Sequence, residues 1–310
     1  MNETRLRETI RAGAEYILSR QHHDGYWEDF NLPPGRADMW VTAYVGLKLK
    51  SILDRFDVPD FRGALVKAAA WIDRTKTADG GWGYNRSCPT DADSTAHALL
   101  FLHRMSYAVS PEYRTVLTGF LRPDGGVSTY RPSCEKDAWG VSHPDVTAMV
   151  GIVLRELFPD RDDALSRIVT YLRDNRGEDG LWNSYWWNTP LYATALTLDF
   201  MKMTNAAVDA AALRDTLSAG RPKHAFHKAL DIRCRRMVSM PPDRLAAELV
   251  GMQEDDGSWM SVPMLRLTYS NMAEPWLVED GGRLFADDDR LFTTATVVAS
   301  LSEALTIANV

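Results

Sequence analysis

The stretch of this sequence best suited to chemistry is PTDADSTAHALL, residues 89–100. It brings two carboxyl groups, Asp91 and Asp93, and the imidazole of His97 to the start of an apolar, helix-forming run. Two roles fit Asp93. An aspartate at a helix start caps free backbone N–H groups, whereas a carboxyl group in a pocket can serve as a general acid. Because His97 follows Asp93 by four residues, its ring can reach and orient that carboxyl group on a helix.

The chain around this stretch repeats one unit at least five times. Each copy has an amphipathic helix, a turn with a glycine, usually a tryptophan, and a second helix that opens on Thr-Ala. The threonines of these second helices recur about every 50 residues, which is typical of a repeat architecture, and they are Thr42, Thr95, Thr147, Thr194 and Thr294. The last interval is about two periods long, so we predict a degenerate sixth hairpin from the helical stretches 211–219 and 224–238.

The repeat predicts how the helices pack. The turn glycine supplies the positive φ that ends the first helix, and we expect the turn tryptophans to join adjacent units; they are Trp27, Trp82, Trp182 and Trp259. The second helices are apolar almost all round, which indicates burial, whereas the first helices have a polar face. We therefore predict an all-α single domain over 1–310, an α/α toroid of about six hairpins around a central cavity. An open solenoid of the same hairpins also fits the pattern.

Composition and charge argue against nucleic-acid binding, a membrane span and secretion. The 310 residues carry a formal net charge of −7, which argues against nucleic acid as a partner. No apolar run reaches the length needed to span a bilayer, and the charged N-terminus lacks a secretory signal pattern. Cys88, Cys134 and Cys234 are odd in number and widely spaced, so we expect free thiols and a cytoplasmic protein.

Two segments resemble a known motif. Residues 11–27, RAGAEYILSRQHHDGYW, are similar to the QW motif of the terpenoid cyclase and protein prenyltransferase superfamily, and residues 248–259, ELVGMQEDDGSW, are a second copy. The matching glutamine, glycine and tryptophan positions are Gln21, Gly25 and Trp27, then Gln253, Gly257 and Trp259. The resemblance covers nearly the whole chain and implies the α/α toroid, but several chemistries share this fold.

Residues 91–96, DADSTA, resemble the DxDDTA motif of squalene-hopene and class II diterpene cyclases and the DCTA motif of oxidosqualene cyclases. The resemblance implies that Asp93 is the proton donor to an alkene or epoxide, with ring closure through carbocations. The candidate catalytic residues are therefore Asp93, His97 and Asp91. Ser94 stands where those families have a further aspartate or a cysteine. The chain is also about half the length of a two-domain triterpene cyclase, so we do not expect a C30 substrate.

A carbocation needs aromatic walls that stabilise positive charge without attacking it. Side chains at the starts of the second helices, together with the cluster WNSYWWNTPLY (182–192), can provide such walls. His143, from the next repeat, could also orient Asp93, and Asp145 occupies the place of Asp93 in its own repeat. The candidate substrate-binding residues are Trp40, Tyr44, Ser94, His143, Asp145, Trp186, Trp187 and Tyr192. A packed core is the alternative interpretation of these aromatics.

Two long connections, 127–144 and 260–289, precede second helices, and loops of this length often act as lids. If the substrate carries a diphosphate, the nearest loop cations are Arg131, Arg283 and Arg290. We interpret ADDDR (286–290) as an acidic helix start rather than a metal–diphosphate motif. The zinc ligands of protein prenyltransferases and lanthionine cyclases have no counterpart here, so we predict no metal site of those kinds and no cofactor, with Mg²⁺ possible if the substrate is a diphosphate.

The function predicted from these features is that of a small class II-like terpene cyclase or isomerase. Asp93 would start carbocation cyclisation of a small hydrophobic, prenyl or prenylated substrate. Two alternatives stay open. One is a non-catalytic ligand-binding module of the same fold. The other is a glycoside hydrolase or lyase that pairs Asp93 with Asp145 or Asp91, since such enzymes use two carboxyl groups at a fixed separation.

Overall fold

Six consecutive helical hairpins build the protein in the computed structural model, which describes residues 3–56, 59–131, 137–159 and 162–305. The first helices of the hairpins form an outer ring and the second helices an inner ring. The outer helices are α1 (Glu3–Ser19), α3 (Pro59–Arg74), α5 (Glu112–Thr118), α7 (Asp162–Asp174), α9 (Ala211–Ala219) and α11 (Asp243–Gly251). The inner helices are α2 (Met39–Leu53), α4 (Ala92–Arg104), α6 (Pro144–Leu157), α8 (Leu191–Met203), α10 (Ala225–Met237) and α12 (Leu291–Leu305).

The inner helices close into a ring. Each one packs against the next, from α2 through α4, α6, α8 and α10 to α12, and α12 packs back onto α2. This contact confirms the toroid and excludes the open solenoid. The predicted degenerate sixth hairpin is α9 and α10, which takes its place in the ring without the glycine and tryptophan turn. Residues of α2, α6 and α12 are buried on nearly every side, which explains their lack of a polar face.

The turn between the two helices of a hairpin has the same backbone in five of the units. In each of these turns the glycine has φ between 82° and 104°, values that residues with a side chain rarely adopt. The five glycines are Gly25, Gly80, Gly125, Gly180 and Gly257. The two QW glutamines then join neighbouring units. Gln21 donates to the carbonyl of Ala64 in the next outer helix, at 2.9 Å, and Gln253 donates to that of Thr9 in α1, at 2.9 Å.

The turn tryptophans and the inner-helix threonines fix each turn to its helices. The four tryptophans are fully buried, and each indole N–H donates to a carbonyl ten residues earlier, in the preceding outer helix. The Thr-Ala hydroxyl accepts the backbone N–H of the turn, as at Thr42 and Trp27 (2.8 Å) or Thr194 and Trp182 (3.0 Å). The tryptophans therefore serve the scaffold, and this is why they recur in the repeat.

Short strands, which the sequence pattern did not predict, lie in two of the connections before inner helices. Strands β1 (Asp29–Leu32) and β2 (Gly35–Ala37) form one antiparallel hairpin, and β3 (Leu265–Leu267) and β4 (Arg283–Phe285) form another. Trp187 adds an isolated bridge to Leu265, so the connection before α8 joins the second hairpin. These segments cover the end of the toroid where the inner helices begin. Within the described ranges, no helix is long and apolar enough to cross a membrane.

Candidate active site

A cavity of about 660 Å³ lies at the end of the inner ring where the helices begin. Its walls come from the first turns of α2, α4, α6 and α8 and from the connections above them. Of the candidate residues, those that line it are Trp40, Asp91, Asp93, Ser94, Asp145, Trp186, Trp187 and Tyr192. Three candidates lie behind this wall instead. Tyr44, His97 and His143 are buried and do not line the cavity.

The two aspartates at the start of α4 have different environments. Asp91 is the N-cap, because its side chain accepts the backbone N–H of Ser94 at 2.6 Å. The Ser94 hydroxyl also donates to Asp91, at 2.7 Å. Asp93 lies inside the first turn, lines the cavity and keeps 19% of its side-chain surface exposed. The helix cap is therefore Asp91 and not Asp93.

His97 contacts Asp93 on the side away from the cavity. Its Nδ1 lies 2.9 Å from the backbone carbonyl oxygen of Asp93 and 3.4 Å from Oδ1 of the same residue. The ring is buried and packs edge-on against Trp40, with centroids 6.5 Å apart, and next to Tyr44 at 5.7 Å. His97 therefore contacts Asp93 from the core of the protein, chiefly through the Asp93 backbone carbonyl.

Asp145 occupies the place of Asp93 in the next inner helix but is tied into the scaffold. Its side chain accepts backbone N–H groups of Val146 at 3.1 Å, Tyr185 at 3.0 Å and Trp186 at 3.3 Å. Burial is the main cause that raises the pKa of Asp145 to about 7. Burial also raises the pKa of Asp91 to about 7. Two protonatable carboxyl groups therefore flank Asp93 in one wall.

Aromatic rings form the deep wall of the cavity. Trp187 stacks on Tyr192 with centroids 4.5 Å apart and on Phe292 at 5.0 Å, and Trp40 lies 6.0 Å from Trp187. Below this layer Phe292 stacks on Tyr44 at 3.8 Å, so the centre of the ring is filled and the cavity stays at one end. The arrangement combines a carboxyl group, a closed floor and the faces of several indoles, which suits stabilisation of a cation.

Several lining residues were absent from the sequence-based candidates. They are Tyr84, Phe120, Thr129, Tyr130, Trp139 and Arg266. Most lie in the two long connections, where no periodicity indicates which side chain points inward. Arg266 is a half-buried cation on β3, and no carboxylate of the described residues forms an ion pair with it. Of the three arginines that the sequence suggested, Arg131 lines the cavity, and Arg283 and Arg290 do not.

The described residues do not place a metal-binding group at the cavity. Among them, the single cluster of three or more His, Cys, Asp or Glu side chains close enough to share an ion is His22–His23–Asp24, on an exposed turn away from the cavity. In the acidic segment 286–290, Asp287 is buried and accepts the backbone N–H of Thr293 at 2.7 Å, as expected for a helix start. Cys88 and Cys234 are free thiols, and Cys134 lies outside the described residues.

Comparison with known proteins places this geometry among terpene cyclases. The type II terpene cyclase MstE from Scytonema superposes with a TM-score of 0.85 at 26% identity, over 99% of this chain and 100% of that one. MstE has been solved with its substrate, geranylgeranyl dihydroxybenzoate, and with its product, merosterolic acid A. In sequence, labda-7,13-dienyl diphosphate synthase of Streptomyces clavuligerus is 34% identical over 77 residues, which are 24% of this chain and 12% of that protein.

One similar structure belongs to a sugar-cleaving enzyme. An inactive variant of the α-1,6-mannanase of Salegentibacter sp. HEL1_6, in complex with α-1,6-mannotriose, superposes with a TM-score of 0.59 over 97% of this chain and 99% of that one. Its identity of 13% shows a shared fold and nothing about activity. No protein-family model matches the sequence. The fold over the full chain and the likeness in sequence therefore make this chain similar to type II terpene cyclases.

Proposed function

We propose that this protein is a class II-like terpene cyclase in which Asp93 is the acid that starts the reaction. The observation that carries the proposal is the position of Asp93. Its carboxyl group lines an aromatic-walled cavity of about 660 Å³, a volume in the range of small-molecule sites, while Asp91 caps the helix in its place.

The chemistry would begin with transfer of the Asp93 proton to a terminal alkene carbon of the substrate. The resulting carbocation would close rings by attack of successive double bonds, and loss of one proton from carbon would end the reaction. No electron leaves the substrate, so the proposed reaction needs no redox cofactor. His97 would keep the carboxyl group aimed into the cavity, and the indoles of Trp40 and Trp187 would stabilise the cation.

The proposed substrate is a prenylated molecule with an anionic head group. Arg266 supports this choice, because a half-buried guanidinium without a carboxylate partner among the described residues is costly unless a ligand neutralises it. Desolvation lowers the pKa of Arg266, in keeping with its burial. Arg131 lies on the same cavity wall, packed over the ring of Phe120. If the head group is a diphosphate, Mg²⁺ would bind with it.

The test compares wild type with Asp93→Asn and Asp145→Asn, using geranylgeranyl diphosphate and geranylgeranyl dihydroxybenzoate as probes. We expect cyclised, isomeric products from the wild type and a loss of about 10³-fold in turnover for Asp93→Asn, since a general acid contributes roughly that much. Asp145→Asn is the matched control, and we expect it to retain turnover above that of Asp93→Asn. Equal turnover by Asp93→Asn and wild type would remove Asp93 as the acid.

A further inference from the structure

Behind the cavity wall, a hydrogen-bonded chain of three side chains ends at Trp186. The indole Nε1 of Trp186 lies 2.8 Å from Oγ1 of Thr129. The same oxygen lies 3.0 Å from Nδ1 of His143, and Nε2 of His143 lies 2.9 Å from the backbone carbonyl oxygen of Ala138. Thr129 and Trp186 line the cavity, and His143 does not.

The direction of each hydrogen bond follows from the groups involved. An indole N–H can only donate, so the hydroxyl of Thr129 accepts from Trp186 and uses its own hydrogen for His143. The Nδ1 atom of His143 is then the acceptor, which places the ring proton on Nε2, opposite the carbonyl oxygen of Ala138. Of the two neutral forms of the imidazole, only the one with the proton on Nε2 satisfies all three contacts. Burial lowers the pKa of His143 to about 3, which keeps the ring neutral.

Packing holds the imidazole as firmly as the hydrogen bonds do. The ring of His143 stacks on Tyr185 with centroids 3.6 Å apart and planes 14° from parallel. The indole of Trp186 meets both rings edge-on, at 6.3 Å from His143 and 5.0 Å from Tyr185. His143 is 1% exposed, so it can affect a ligand in the cavity only indirectly, through Thr129 and Trp186.

Trp186 also joins the two chemically distinct parts of the cavity. Its backbone N–H donates to Asp145, the neighbour of the proposed acid, at 3.3 Å. Its backbone carbonyl accepts the N–H of Arg266, on the proposed head-group strand, at 2.6 Å. The backbone of Trp186 is thus fixed on both sides, and the hydrogen bond to Thr129 fixes the remaining freedom, the rotation of the indole.

From this geometry we propose that Thr129 and His143 are positioning residues that hold the indole face of Trp186 in one orientation toward the reacting carbocation. The proposal rests on the proposed function. Attraction between a cation and an aromatic ring depends on the face that the ring presents. An indole free to rotate would stabilise cations at several positions, and the enzyme would then release a broader mixture of cyclised products.

The first test reads the indole itself and needs no substrate. In ¹H–¹⁵N spectra, the Trp186 indole signal is the one that disappears in Trp186→Phe, out of the ten tryptophans of the chain. In Thr129→Val and in His143→Phe, we expect this signal to shift and its N–H to exchange with solvent at least ~5-fold faster, as for loss of one hydrogen bond. The double variant should match the single variants, because both break one chain.

Thr268→Val is the matched control. Thr268 accepts the indole N–H of Trp139 at 2.9 Å, so its loss should speed exchange of the Trp139 N–H and leave the exchange rate of the Trp186 N–H unchanged, although the two rings lie 5.7 Å apart. An unchanged Trp186 signal in Thr129→Val would overturn the proposal, and so would exchange rates that multiply in the double variant. Thr129→Val keeps the shape of the side chain, so it decides the question even if His143→Phe does not fold.

The second test reads the products formed from the two prenylated probes. We expect Thr129→Val to broaden the product mixture and to lower kcat more than it raises KM. A wild-type product ratio in a variant whose indole signal has moved would also overturn the proposal. If the wild type converts neither probe, the proposed function fails, while the indole measurement still decides whether Thr129 and His143 position Trp186.

Discussion

The Ser94 hydroxyl donates to Oδ2 of Asp91 at 2.7 Å, while the Ser94 backbone N–H donates to Oδ1 of Asp91 at 2.6 Å. Both oxygens of Asp91 are thereby engaged at the helix end, two residues before Asp93. The serine that departs from the cyclase motifs thus supports the cap and makes no hydrogen bond to Asp93. One short segment therefore both caps a helix, through Asp91, and presents a carboxyl group to the cavity, through Asp93.

Replacing the two aspartates of α4 should separate stability from activity. We expect Asp91→Ala to lower the free energy of unfolding by about 1–2 kcal/mol, the usual cost of a lost cap. Asp93→Ala should cost less than ~1 kcal/mol, because it removes a first-turn carboxyl group that does not cap the helix. Urea unfolding of both variants measures the difference. Turnover should follow the opposite order, and a greater stability loss in Asp93→Ala would contradict the assignment of the cap.

The stability of the protein should depend on pH through Asp145. Burial raises the pKa of Asp145 from its ordinary value of 3.8 to about 7, so between these values the native state holds a proton that the unfolded chain has released. Its contribution to stability is therefore present at low pH and falls as the pH rises to about 7. Asparagine cannot ionise at this position, so Asp145→Asn lacks this pH dependence. Over the same range, its free energy of unfolding should rise relative to that of wild type.

Between the two pKa values, the difference in free energy of unfolding between Asp145→Asn and wild type should grow by ~1.4 kcal/mol for each pH unit. Urea unfolding at pH 5, 6, 7 and 8 measures it. Other buried groups contribute to the absolute profile in both proteins and cancel in the difference. A difference that stays constant from pH 5 to pH 8 would contradict a raised pKa of Asp145.

The Thr-Ala hydroxyl should matter to folding. Thr194 accepts the backbone N–H of Trp182 at 3.0 Å, and both groups are buried. Thr194→Val leaves that N–H without a partner, so we expect a loss of about 1–3 kcal/mol in the free energy of unfolding. The control is Thr170→Val on the exposed face of α7, which should change stability by less than ~0.5 kcal/mol. Similar losses in the two variants would show that the turn does not depend on this hydroxyl.

Arg266 should act in binding. Replacing it with glutamine removes the proposed head-group charge, and we expect KM for an anionic prenylated probe to rise ~10-fold or more with little change in kcat, the pattern of lost uniform binding. Arg283→Gln is the control from the partner strand, where the guanidinium packs over Phe285 at 4.8 Å, outside the cavity. A neutral prenyl alcohol should bind both variants alike. Equal KM values for the anionic probe in both variants would contradict the role of Arg266.

The sequence alone was sufficient for the repeating unit and its helices. Turn glycines, turn tryptophans and apolar second helices act over a few residues, so their pattern predicted where helices end and which helices are inner. The same local logic placed Asp93 at the start of an inner helix and therefore at one end of the ring. The choice between cap and acid stayed open, because Asp91 and Asp93 both precede Thr95 at a helix start.

Tertiary structure decided what depends on distant parts of the chain. Packing of α12 on α2 closes the ring, and no local pattern specifies a contact between the two ends of the sequence. Tertiary structure also placed Arg266 in the cavity wall and His143 behind it. The sequence could not predict this, because the long connections have no periodicity that fixes the direction of a side chain. Local propensity thus determined the elements, whereas the cavity arose from ring closure, which brings four helix starts and the irregular connections above them to one place.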